Sequence, residues 1–246
     1  MTRSHASLFV AFIGLSISLG IALAQSPLDK LKQKIGVSSD QGLSNDKIVA
    51  GLKEALKVST GKAVAATGKP DGYLKNEAIK IALPPKLQSA GKGLRMVGMG
   101  SQVDALEVGM NRAAEQAAPQ AKAIFLRGVT KMTFDDARKI LTGGGDTAAT
   151  EYFKRTSSEE LTTAFAPIVH KSMENVGVVK QYNTLLENPM AASLAKDKSM
   201  NLDSYVVGKA LDGLFFMLGE EEKKIRKDPA AQTTSLLKQV FGNLKK

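Results

Sequence analysis

The sequence of 246 residues contains no cysteine, no tryptophan and only two histidines. Without cysteine, the chain cannot form a disulfide, a thiol nucleophile, an iron–sulfur cluster or a cysteine-ligated zinc site. His5 lies in the first few residues, so a folded domain has only His170, for which we expect a packing or surface role. A site that needs two or more histidines from one chain is therefore excluded, and we expect neither a metal nor a cofactor.

The first part of the chain has the pattern of a secretory signal peptide. Residues 1–24 begin with a basic residue, Arg3, carry no charge from position 6 to position 23, and end in Ala-Leu-Ala. Small residues at both ends of that triplet predict cleavage after Ala24 and a periplasmic or secreted protein. The apolar run is also just long enough to span a bilayer, so an uncleaved anchor is the alternative. No later stretch is as long and apolar, so we expect no transmembrane segment after cleavage.

The remaining sequence has the apolar periodicity of α-helices. We predict a loosely ordered N-terminal arm over residues 25–43 and a single all-α domain over residues 44–246. The domain would contain about ten mostly short helices around a central helix at residues 202–227, which is apolar on nearly every side. Alternating apolar positions predict at most one short extended segment, near residues 78–83.

Several helix starts carry capping signals. Ser101 and Thr133 are each followed three residues later by an aspartate, the pattern of a capping box. Asp146 is predicted to cap a short helix, and Ser158 to begin a longer one that Pro167 would kink.

Short motifs in the middle and at the end of the chain resemble those of a known family. They are residues 51–56, 68–74, 81–84, 110–115, 140–144, 148–153, 211–215 and 219–223. In combination they are similar to a bacterial family known only as domain of unknown function 4197, over roughly residues 40–244. Ala82 stands where that family often has proline. The resemblance implies a secreted, mostly helical protein, and it implies no reaction because the family has no established activity.

The first group of candidate ligand-binding residues lies on one predicted helix. Asn111, Arg112 and Glu115 lie beside an apolar line of side chains, and Glu107, Asn111 and Glu115 form a polar stripe with a spacing of four residues. Such a stripe is typical of a buried polar network that fixes helix packing. The alternative is a pocket for a polar ligand.

Two further candidates, Asp146 and Tyr152, lie at and just after a glycine-rich loop at residues 143–146. Free backbone N–H groups at the start of a helix could bind an anion there. Asp146 would repel a phosphate, however, and the loop lacks the lysine of a phosphate-binding loop. The pattern therefore favours a plain turn between two helices.

The last candidates, Glu220 and Glu221, belong to a run of three glutamates that is followed by basic residues. Glu220 can pair with Lys223 or Lys224, and Glu222 with Arg226, at helical spacing. We expect a solvated helix end with internal ion pairs. The alternative is that one of these glutamates enters a cleft and acts as an acid there.

The formal net charge is +10. A basic surface can meet an anionic envelope component, although lysines scattered along the chain also suit an ordinary soluble protein. The basic residues are not interleaved with aromatic ones, so we expect no nucleic-acid partner.

These features favour a non-enzymatic binding or interaction module of the cell envelope, whose partner is an anionic envelope component or another envelope protein. The first alternative is a carboxylate-dependent hydrolase or lyase that acts on envelope glycan, with Glu115, Glu220 or Glu221 in a cleft opposite a second acid. The second alternative is a carrier of a small ligand.

Overall fold

A computed structural model of the protein describes residues 45–143, 145–175, 177–187 and 201–232, together with residues 234, 235, 238 and 239. The predicted signal peptide and N-terminal arm lie outside these residues. Within the described ranges there is no β-strand. The buried apolar side chains form one hydrophobic core, which confirms the all-α, single-domain class.

The described chain forms eight α-helices, fewer than the ten or so predicted. They are α1 (Asn45–Gly68), α2 (Pro85–Met96), α3 (Gly100–Ala117), α4 (Ala121–Lys131), α5 (Phe134–Thr142), α6 (Ala148–Asn175), α7 (Val178–Glu187) and α8 (Leu202–Lys227). Short 3₁₀ turns cover Ala118–Gln120 and Pro229–Ala231. The bounds of α8 are those predicted for the central helix.

α6 replaces two helices that were predicted separately. It runs without interruption through Ser158 and contains Pro167 in its interior. Ser158 does not begin a helix, because its Oγ donates to the backbone oxygen of Lys154, 2.5 Å away, within the same helix. Capping residues can bond back to the preceding turn in this way, which explains the wrong prediction.

The centre of the core is the contact of α8 with α1, α3 and α6. Leu214 and Leu218 of α8 are almost completely buried. Phe125 of α4 packs edge-on against Phe153 of α6, with ring centroids 5.1 Å apart, and against Phe215 of α8 at 6.0 Å. Aromatic pairs of this geometry contribute about 0.5–1.5 kcal/mol each beyond burial of their area, so this cluster ties three helices together.

The segment predicted as extended is irregular rather than a strand. Ile79, Ile81 and Leu83 are buried, as their alternation predicted. The side chain of Asn111 takes the place of a neighbouring strand. Its Oδ1 accepts from the Ile81 N–H, and its Nδ2 donates to the Ile81 carbonyl, both at 2.8 Å. Nδ2 also donates to the carbonyl of Glu107.

One of the two predicted capping boxes is present. At Thr133 the side chain accepts from the Asp136 N–H, and the Asp136 carboxylate accepts from the Thr133 N–H, both at 3.1 Å. The prediction of a capping box at Ser101 is wrong. α3 already begins at Gly100, and its start has no hydrogen bond from a capping side chain. Asp104 instead pairs with Arg95 of α2.

Candidate functional site

The first group of candidates anchors the turn that follows α1. The carboxylate of Glu115 is only 4% exposed. Its Oε1 accepts hydrogen bonds from the backbone N–H groups of Tyr73 and Leu74, both at 3.1 Å. Its Oε2 accepts from the Arg112 guanidinium at 2.6 Å. Hydrogen bonds to a charged group contribute about 1.5–3 kcal/mol each, so Glu115 holds this turn firmly against α3.

Arg112 extends the same network to the surface. It donates to Asp71 at 2.6 Å, and Asp71 also pairs with Lys75 at 2.7 Å. Lys75 and then Arg112 lower the pKa of Asp71. Asp71 has a positive φ of 64°. A Cβ on Gly72 would lie 2.7 Å from the Thr67 carbonyl oxygen, so the turn requires glycine there.

Tyr73 fixes this turn to the central helix. Its ring is fully buried, and its hydroxyl donates to the Ala210 carbonyl on α8 at 2.6 Å. Burial raises the pKa of Tyr73. A Cβ on Gly213 would lie 2.6 Å from the Tyr73 ring, so the two elements meet as closely as glycine allows. The interactions of Asn111, Arg112 and Glu115 therefore support the packing interpretation of the stripe.

A second carboxylate–arginine pair holds the start of α6. Glu222 on α8 is 5% exposed and accepts from the backbone N–H groups of Ala149 and Thr150, both at 2.9 Å, and from the Thr150 hydroxyl. Arg226 pairs with Glu222 at 2.9 Å, as predicted, and also donates to the Ile140 carbonyl. The local sequence indicated the ion pair, but not that Glu222 caps another helix.

Asp146 and Tyr152 lie on either side of this helix start. Asp146 pairs with Lys227, which lowers the pKa of Asp146. It does not cap the helix as predicted, because Glu222 occupies the first N–H groups of α6. Tyr152 is 8% exposed, with the Arg155 guanidinium 5.8 Å from its ring centroid. Burial raises the pKa of Tyr152.

The remaining two candidates point to different neighbours. Glu221 is largely buried, pairs with Lys224 at 2.6 Å, and lies 4.0 Å from Lys62 of α1. Glu220 is more exposed and pairs with Lys223 at 2.7 Å, which raises the pKa of Lys223. Glu220 faces a groove between the start of α6 and the second half of α8.

We call this depression the α6–α8 groove; its volume is about 360 Å³. It is lined by Thr147, Thr150, Glu151, Lys154, Asp212, Phe215, Phe216, Gly219, Glu220 and Lys223. Of the seven candidate residues, Glu220 alone is in this lining. The predicted residues therefore do not converge on the groove.

The groove combines an apolar patch with charges of both signs. Phe216 is 46% exposed, although most large apolar side chains in the described part of the chain are buried. Glu151 pairs with Lys154 at 3.2 Å, and Asp212 pairs with Lys209 at 3.3 Å. Together with the pair of Glu220, these charges surround an aromatic ring. Such a surface suits a ligand that carries an apolar group and both charges.

A second groove, of about 500 Å³, lies between the middle of α6 and the start of α8. At its edge, His170 Nδ1 lies 2.7 Å from Asp203 and Nε2 lies 3.3 Å from Glu174. Asp203 and then Glu174 raise the pKa of His170. The sequence analysis missed this cluster because Asp203 is on another helix. Among the residues that the structure describes, no three acidic or histidine side chains are arranged to hold a metal.

These features define a class: an all-α domain in which two buried carboxylates, each paired with an arginine, fix the helices, with open surface grooves. The chain belongs to the family described as "Protein of unknown function (DUF4197)", whose model matches residues 42–242. No curated protein and no solved structure matches the chain.

Five of the motifs on which the resemblance rests divide between the framework and the groove. The motifs at residues 68–74 and 110–115 build the turn held by Glu115. Most of the residues that line the α6–α8 groove belong to the motifs at residues 148–153, 211–215 and 219–223. The groove is thus the surface that these motifs share. Within the described ranges, no helix is long and apolar enough to cross a membrane.

Proposed function

We propose that the protein is exported and serves as a non-enzymatic binding module of the cell envelope. Export is supported by the uncharged run at residues 6–23 and by the small residues before Gln25. The α6–α8 groove carries the binding role, because there the exposed ring of Phe216 is surrounded by charged side chains.

The charges in the groove favour another envelope protein as the partner. Glu151, Asp212 and Glu220 would repel an anionic polymer, whereas Lys154 and Lys223 offer cations beside them. A protein segment supplies an apolar side chain for Phe216 together with both signs of charge. Aromatic residues at the centre of an interface are frequent contributors to affinity.

The test compares variants of two phenylalanines with similar exposure. The chain as processed by the cell is immobilised and incubated with solubilised envelope proteins, which are then identified by mass spectrometry. Phe216→Ala is expected to lose partners that the wild type retains. Phe134→Ala, at a 42% exposed position on α5, is expected to retain them. The same retained proteins for all three chains would refute the groove as the binding surface.

A second candidate is a carboxylate-dependent hydrolase or lyase acting on envelope glycan. It is favoured by the presence of Glu220, Glu151 and Asp212 in one groove. Glu115 and Glu221 support it less, because Glu115 is bonded to two backbone N–H groups and Arg112, and Glu221 to Lys224. Release of reducing ends from purified glycan, abolished in Glu220→Gln and Glu151→Gln, would establish it. No release by the wild type would exclude it.

The third candidate, a small-ligand carrier, has weaker support. A groove of about 550 Å³ between α4 and α6 and the groove of about 500 Å³ beside His170 are large enough for a small ligand. Both are open to solvent, however, so a bound molecule would keep much of its surface in water.

A further inference from the structure

The turn between α2 and α3 exposes two neighbouring apolar side chains. Met96 is 82% exposed and Val97 is 57% exposed, the highest values for large apolar residues in the part of the chain that the structure describes. We call these two residues the apolar tip. Gly98 follows them with a positive φ of 85°, and a Cβ there would meet no atom within 4 Å. The turn is therefore open to solvent.

The apolar tip is held out by an ordered turn. The N–H of Gly98 donates to the Arg95 carbonyl at 3.3 Å, and the N–H of Met99 donates to the Leu94 carbonyl at 2.9 Å. Leu94 itself is buried. Arg95 also pairs with Asp104 and so joins α2 to α3 directly below the tip. Exposure of Met96 and Val97 is thus a property of the folded turn rather than of a fraying helix end.

The surroundings of the tip carry positive charge. Lys92 is exposed and lies one helical turn before Met96, on the same side of α2. The N-terminus of α3, at Gly100, begins beside the tip. The helix dipole adds a partial positive charge there. Arg95 is neutralised by Asp104, so on α2 the positive charge beside the tip comes from Lys92.

We propose that the apolar tip inserts into the surface of an anionic lipid bilayer, with Lys92 at the level of the headgroups. Two exposed apolar side chains next to an exposed lysine fit the interface of a bilayer, which has no preformed pocket. Two side chains of this size give reversible attachment, strengthened by anionic lipid. The proposal takes from the proposed function only export to the envelope, and it concerns a surface other than the α6–α8 groove.

The absence of tryptophan from the chain gives a direct test. In the chain as processed by the cell, Val97→Trp places a single tryptophan at the apolar tip. Its emission is recorded with vesicles of phosphatidylglycerol and phosphatidylcholine, and with vesicles of phosphatidylcholine alone. We expect a blue shift with the anionic vesicles, together with quenching by bromine-labelled acyl chains.

The matched control is Val108→Trp, which replaces a 39% exposed apolar residue on α3, the helix that follows the tip. Position 108 lies about 12 Å along the helix axis from Gly100, beyond the depth that a tip reaches in the interface. We expect no blue shift and no quenching for this variant. An equal response at both positions would overturn insertion through the tip.

Cosedimentation with the same vesicles tests the native side chains. Replacing Met96 and Val97 together by serine is expected to weaken binding to anionic vesicles about tenfold, since two apolar side chains are lost from the interface. Lys92→Glu is expected to weaken it severalfold. The helical circular dichroism of both variants should match that of the wild type, because these side chains are exposed.

Three outcomes would overturn the proposal. They are absence of vesicle binding by the wild type, binding that the serine variant retains, and a blue shift of Val97→Trp that depends on protein concentration without lipid. The last result would assign the tip to contact between two copies of the chain. Retention of envelope proteins through Phe216 is measured without vesicles. A failure of the proposed binding function is therefore distinguishable from a failure of bilayer insertion.

Discussion

The carboxylate of Glu222, near the end of α8, accepts a hydrogen bond from the backbone N–H of Thr150 at 2.9 Å, in the first turn of α6. One helix thereby supplies the cap of another that lies 72 residues earlier in the chain. The bond also connects the framework to the α6–α8 groove, because Thr150 lines that groove. Stability of the framework and the shape of the groove are therefore linked.

Replacement of Glu222 by glutamine should destabilise the fold strongly. The amide retains one acceptor, but its NH₂ group meets either the Ala149 N–H and Arg226 or the N–H and hydroxyl of Thr150. The largely buried guanidinium of Arg226 also loses its counter-charge. We expect the free energy of unfolding to fall by about 2–4 kcal/mol, as measured by urea denaturation. The control is Glu220→Gln, whose exposed pair with Lys223 should change stability by less than about 0.5 kcal/mol. Equal effects would contradict the capping role.

Two glycines on α8 should respond to alanine in opposite directions. At Gly213 the added Cβ would lie 2.6 Å from the buried Tyr73 ring, so Gly213→Ala should destabilise by about 1–3 kcal/mol. At Gly208 a Cβ meets no atom within 4 Å, so Gly208→Ala should stabilise the helix by about 0.5–1 kcal/mol. Thermal denaturation of the two variants beside the wild type measures both. A loss of stability at both positions would contradict the assignment of the effect at Gly213 to its contact with Tyr73.

The His170 cluster should make stability depend weakly on pH. Asp203 and Glu174 raise the pKa of His170 above its usual value of 6.5 in the folded state. The stabilisation is therefore fully present below about pH 6.5 and is lost as the pH rises through the folded-state pKa. Between pH 6 and pH 8, the melting temperature of the wild type should fall by more than that of His170→Gln. In a chain cleaved after Ala24, His170 is the remaining histidine, so a proton NMR titration measures its pKa directly. A pKa at or below 6.5 would contradict stabilisation of the charged imidazole by Asp203 and Glu174.

Cleavage of the N-terminal segment should depend on the residue directly before the cleavage point, Ala24. Protein recovered from the expressing cell should begin at Gln25 when analysed by N-terminal sequencing. Ala24→Leu should block cleavage, because the peptidase requires a small residue there, whereas Leu23→Val should be processed normally. Recovery of the intact N-terminus from the wild type would favour the membrane anchor instead.

Local patterns in the sequence predicted much of the fold. The bounds of α8 and the cap at Thr133 follow from apolar periodicity and from residues three positions apart, so they could be predicted. Ser158 misled the prediction because a serine bonds equally well to the preceding turn of a continuous helix. The prediction therefore divided into two helices what is the single helix α6.

The candidate site was less accessible to sequence analysis. Ion pairs such as that of Glu222 with Arg226 lie within one helix and could be predicted. The backbone groups that Glu222 and Glu115 cap belong to distant elements, and nothing local to either residue indicates them. Asp203 likewise lies on a different helix from His170, so nothing local to either residue indicates their contact.

The amide of Asn111 has a consequence for substitutions at this position. Asn111 and Ile81 are both buried, so loss of the amide would remove the partners of the Ile81 N–H and carbonyl inside the core. An acidic side chain offers an acceptor for the N–H but no donor for the carbonyl. A single amide thus meets the hydrogen-bonding needs of an irregular segment whose neighbours Ile79 and Leu83 are apolar.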